Sequence, residues 1–128
     1  MFIFIYCQGL VADVAAAIQF LKQTSVLIDV FRSMVPITSA TDPVFDQVEK
    51  VGEWFEDWTQ QTRAGCKNNT EADKMLPSAE SREDLTQLAV GFRRMAEIHF
   101  SNCDVPLVPG RINQDVLENH FSSQRGIC

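Results

Sequence analysis

Apolar residues first recur at helical spacing between Gln8 and about Lys22. Leu10, Val14, Ala17, Ile18 and Leu21 follow the i, i+3, i+4, i+7 pattern of one helical face. The opposite side is mostly alanine, with Asp13 and Gln19, which predicts a helix buried over most of its surface. A second helical stretch is predicted from Ser25 to Met34, ending before Pro36. Thr41-Asp42-Pro43 places a capping residue before a first-turn proline, a helix start. Beyond it Val44, Val48, Val51, Phe55 and Trp58 share a stripe, while Asp46, Glu49, Glu53, Glu56 and Asp57 take the other side. Amphipathic helices ordinarily carry such a solvated face, and that reading takes precedence over a partner or cation surface.

Residues 62–80 are polar, hold Gly65 and Pro77 and show no sustained period, which predicts a long, disordered-prone loop. Ser81-Arg82-Glu83-Asp84 has the form of a capping box. The helix after it sets Leu85, Leu88, Ala89, Phe92, Met95, Ala96 and His99 on one face, with Arg94 and Glu97 pointing away. His99 and Cys103 are four apart, as two metal ligands on a helix can be. No second pair has ligand spacing, so His99 on the apolar stripe reads as a satisfied buried histidine. Pro106 and Pro109 make residues 104–110 an extended connector, and a last helix is expected from about Gln114 to Gln124. The expected fold is all-α, four to five helices with one long polar loop.

Composition narrows the function classes. With 128 residues, 45% hydrophobic and 22% charged, the chain is globular in character. Its net charge of −6 is opposite to the basic stripe of a free-standing nucleic-acid binder. The acidity is local: residues 42–57 hold six acids and one lysine, whereas from Phe92 onward four arginines balance four acids. Cys7, Cys66, Cys103 and Cys128 form no Cys-x-x-Cys pair and read as reduced thiols of an intracellular protein. Asn68-Asn69-Thr70 fits a glycosylation sequon, which matters only on a secretory route. The apolar start at Met1–Tyr6 lacks a basic flank, and Gln8 and Asp13 interrupt it short of the ~20 residues of a membrane span. Neither a signal peptide nor a membrane segment is expected.

The last helix carries the candidate chemistry. At about 100° per residue, Val116, Leu117, His120 and Phe121 form a packing side, and Asp115, Glu118, Ser122 and Arg125 form the other. A helix-borne carboxylate beside hydroxyl and guanidinium groups can bind a divalent metal and orient phosphates. Two-metal phosphoryl transfer requires several such oxygens around ions ~3.5–4 Å apart, and this helix supplies one or two.

The run Asn113-Gln114-Asp115-Val116-Leu117-Glu118-Asn119-His120-Phe121-Ser122-Ser123-Gln124-Arg125 resembles the C-terminal signature of P-element-type DNA transposases, Asn-Gln-Asp-x-Leu-Glu-x-x-Phe-Ser-x-x-Arg. Leu85 to Phe100 with Val105-Pro106-Leu107-Val108-Pro109, and more faintly Val14 to Phe31, resemble the regions upstream of that signature. The resemblance implies an RNase H-like core whose three acids bind two Mg²⁺ ions, with a helical, guanine-nucleotide-associated insertion before the last acid. Glu118 then matches the third catalytic, metal-binding carboxylate. Arg111, Asn113, Gln114 and Arg125 become candidates for DNA contact, with Asp115, Leu117, Phe121 and Ser122 as motif support. Residues 8–107 would correspond to the helical insertion and 108–128 to the catalytic segment.

The other two aspartates belong to a strand-rich half with no counterpart in this chain, and no Gly-rich loop is present to hold GTP. The implied product is a truncated or relic transposase, inactive alone, whose parent is nuclear, binds DNA and assembles as homo-oligomers. The competing expectation is a small helical interaction protein, with Asp46–Asp57 or the aromatics Trp54 and Trp58 as its surface.

Overall fold

Local capping and long-range aromatic packing together build an all-helical fold. The computed structural model describes the backbone of residues 2–112 and 115–127, and the side chains of 14–112, 118 and 120–126. The order is α1 (Phe2–Arg32), α2 (Pro43–Gly65), α3 (Asn69–Met75), α4 (Ala79–Asn102), a 3₁₀ turn at Pro109–Arg111, and α5 (Asp115–Ile127).

The two helical stretches predicted before Pro36 are one helix. Thr24 Oγ1 donates back to the carbonyls of Phe20 (3.0 Å) and Leu21 (3.1 Å), so its hydroxyl is satisfied inside the helix instead of breaking it. The predicted burial of the first stretch is also corrected, since residues 14–22 are exposed throughout. By length and composition, Val14–Arg32 is apolar enough to cross a membrane, with a mean hydropathy of 1.4. The C-terminal end of α1 is nevertheless committed to the protein core: Val30 is buried in it, and Val26, Leu27 and Phe31 pack against it.

Helix α2 starts where Asp42-Pro43 predicts, with Asp42 Oδ1 accepting from the Val44 amide at 2.9 Å. The long loop expected over 62–80 is corrected: α2 runs on to Gly65, and α3 occupies Asn69–Met75. Asn68 caps α3 by accepting from the Glu71 amide (2.9 Å), and the Glu71 carboxylate reaches back to the Lys67 amide (3.4 Å). The pair works much as a capping box does. Helix α3 lies against α2 and fully buries Ala72. The start of α4 moves too: Ser78, not Ser81, is the cap, accepting from the Ser81 amide at 3.1 Å.

The core joins α1, α2 and α4 through Val30, Ile37, Phe45, Val48, Ala89, Phe92 and Ala96. Phe92 is its hub, with ring centroids 4.9 Å from both Phe31 and Phe45. Gly52 lets α2 and α4 approach: a Cβ there would lie 2.9 Å from that of Ala89. Residues Ile37 and Leu107 exchange both backbone hydrogen bonds, at 2.6 and 2.8 Å, as an antiparallel bridge between the two connectors. Next to it the Gly110 amide donates to Ser33 O at 2.8 Å. A Cβ on Gly110 would meet Met34 Sδ at 2.7 Å and the carbonyls of Ser33 and Arg32 at 3.0 and 3.1 Å, so the turn seats against the end of α1 only as glycine.

Candidate functional site

The candidate site lies at the C-terminal end, after the chain has been fastened to the body through Gly110. Arg111 closes the 3₁₀ turn and is exposed. Asn113 and Gln114 lie outside the described residues. Asp115 and Leu117 belong to the first turn of α5, and their side chains are likewise outside the described set. Glu118, Phe121, Ser122 and Arg125 are exposed on the same helix.

Spacings of four and three put Glu118, Ser122 and Arg125 along one side of α5, carboxylate, hydroxyl and guanidinium in order. On the other side, the two expected packing residues that are described are not packed, Val116 and Leu117 having side chains outside the described set. Phe121 is 54% exposed, and His120 is exposed with it. Gln124 Nε2 lies 3.0 Å from His120 Nε2, and because an amide nitrogen only donates, that ring nitrogen accepts. The apolar side of α5 therefore has no buried residue among those described.

Glu118 offers two oxygens and Ser122 one, short of what a two-metal centre requires. Among the described residues no group of three or more His, Cys, Asp or Glu side chains converges. These residues fit one corner of a Mg²⁺ centre and do not fit a whole one.

The other sequence candidates are engaged within the body. His99 is half-buried, with Nε2 2.5 Å from the carbonyl of Val105, and the Cys103 thiol sits 3.6–3.7 Å from its ring nitrogens. The histidine thus ties the end of α4 to the following connector. Cys66 and Cys103 are free thiols. Trp54 and Trp58, considered as an exposed partner surface, are half-buried in a cluster with Phe20 and Phe55, with ring centroids 4.9–6.1 Å apart.

The acidic side of α2 is divided by a residue that sequence reasoning passed over. Arg93 on α4 bonds both oxygens of Glu49, at 2.5 and 2.9 Å, and Asp46 at 2.5 Å. Its guanidinium lies 5.8 Å from the Phe45 ring centroid. Hydrogen bonds to Glu49, then to Asp46, hold the Arg93 guanidinium above its ordinary value. The one clue in the sequence was its place beside Phe92 at the edge of the apolar stripe. Its acidic partners lie 44 and 47 residues away, beyond any local pattern.

Compared with protein families, curated proteins and solved structures, the chain finds no match in any of the three.

Proposed function

We propose that this chain is the C-terminal segment of a P-element-type DNA transposase, supplying the last metal-binding carboxylate of an RNase H-like cleavage and strand-transfer site. The observation that carries the reading is the signature on α5, with Glu118, Ser122 and Arg125 exposed along one side of the helix. Glu118 is the metal ligand, and Arg111 and Arg125, with Asn113 and Gln114, contact DNA. An acid that must share metal ions with carboxylates from other elements has to face outward from its own helix, as Glu118 does. The exposed Phe121 fits the same reading, because the helix then packs against the strand-bearing half that holds the remaining acids.

The isolated chain is inactive on this account, since one carboxylate cannot hold two ions. The test is DNA nicking with Mg²⁺. The 128-residue chain leaves supercoiled DNA intact. Joined in frame to the strand-rich segment encoded upstream at its locus, it nicks DNA with Mg²⁺, and Glu118→Gln abolishes that activity. Nicking by the isolated chain overturns the incompleteness. A joined protein whose nicking survives Glu118→Gln, or a locus with no such segment, overturns the assignment of Glu118.

A further inference from the structure

We propose that the groove between α2 and α4 docks a cationic amphipathic helix, a binding surface independent of α5 and of the transposase reading. The groove encloses about 400 Å³. Its floor is apolar and small, formed by Gly52 on α2 and by Ala89 and Val90 on α4, and its α2 wall carries Glu49, Glu53 and Glu56. Among the described residues no cationic side chain lines it.

Two features select the occupant. The first is apolar surface facing water: Val90 is 65% exposed although it lies beside the core residue Ala89. With Gly52 and Ala89 it leaves room for one bulky side chain of a visiting helix. The second is charge complementarity. Arg93 already neutralises Glu49 at one end of the wall. Glu53 and Glu56 have no ion pair among the described residues, and Glu56 receives only the Gln60 amide at 3.2 Å. The three carboxylates succeed one another at intervals of four and three residues, spanning about 10 Å of helix. Lysines or arginines at the same spacing on an antiparallel helix would meet them. The local excess of acid between 42 and 57 attracts such a partner from a distance. A second copy approaching with the same acidic face is repelled.

The probe is a fluorescein-labelled 14-residue peptide of leucine and lysine at helical spacing, read by fluorescence anisotropy against the full chain. A counterpart with glutamate for lysine, and a scrambled lysine-leucine peptide of equal charge, are run alongside. Saturable binding is expected of the amphipathic lysine peptide alone. The double change Glu53→Lys, Glu56→Lys weakens it by about tenfold or more, the equivalent of about 1.4 kcal/mol. The double change Asp84→Lys, Asp104→Lys alters net charge equally on exposed positions outside the groove and leaves binding within about twofold. Val90→Asp discriminates most sharply. It adds negative charge, so attraction by net charge alone predicts tighter binding, whereas loss of the groove floor predicts binding weakened by about fivefold or more. Circular dichroism of each variant establishes that it is folded. Tighter binding by Val90→Asp, equal binding of the scrambled peptide, or equal loss in the two double variants overturns the proposal.

Discussion

The close approach of α2 and α4 at Gly52 makes a prediction whose sign reverses with its neighbour. An added methyl on Gly52 would sit 2.9 Å from Cβ of Ala89, well inside the ~3.5–4.0 Å at which two carbons attract best. Two opposing effects act. Alanine is favoured over glycine within a helix by about 0.8–1.0 kcal/mol. Overpacking a filled contact costs about 1–3 kcal/mol. Neither methyl has a rotamer through which to escape, so relief requires the two helices to separate and loosens the core around Ala89. Gly52→Ala is therefore expected to destabilise the protein by up to about 2 kcal/mol. When Ala89→Gly has first removed the opposing methyl, the same substitution meets open space and stabilises by about 0.8–1.0 kcal/mol. The resulting coupling is about 1–3 kcal/mol. Urea unfolding of the four proteins of the cycle measures it directly, as midpoints shifting at constant slope. If Gly52→Ala acts in the same direction in both backgrounds, and the coupling stays within the ~0.5 kcal/mol of ordinary additivity, the contact does not set the helix separation.

Phe92, buried and ringed by Phe31 and Phe45, is expected to cost about 3–5 kcal/mol on change to alanine, a large part of the ~5–15 kcal/mol of a typical domain; thermal unfolding followed by far-UV circular dichroism would read that loss as a sharply lowered midpoint. Asp42→Ala removes the N-cap of α2 and is expected to cost about 1 kcal/mol, with Asp42→Asn retaining most of it in urea unfolding. Phe121→Ser should change stability by less than about 0.5 kcal/mol, because its ring is exposed; a larger loss on chemical denaturation would mean that α5 packs on the body. Arg93→Gln should lower the melting temperature and remove much of its dependence on salt, since the pairs with Glu49 and Asp46 are partly screened.

What the sequence made legible was whatever is decided within about one turn of chain or by repetition along one face. Asp42 before Pro43 specified the start of α2 because a cap needs only its own turn. The stripes through Val48, Val51 and Phe55, and through Ala89, Phe92 and Ala96, are buried as their spacing predicts. Helix α3 was missed although Asn68 and Glu71 carry its capping signal, because one buried residue, Ala72, makes no visible period. The two stretches read before Pro36 join through Thr24, whose hydroxyl bonds carbonyls of its own helix, a bond that the apolar spacing does not register. In α5 the pattern identified an apolar side without identifying anything for it to pack against. Residues such as Arg93, whose roles depend on partners more than forty positions away, leave no local signal beyond a place at the edge of an apolar stripe.

The exchange of hydrogen bonds between Ile37 and Leu107 has a topological consequence. A pair of residues bonded in this way holds its α-carbons about 5.5 Å apart, so the 69 residues between them leave and return through a single narrow doorway. The segment is nevertheless held from outside as well, because Val30 and Phe31 of α1 pack into the same core as Phe45 and Phe92, so it cannot be drawn away through its doorway without opening that core.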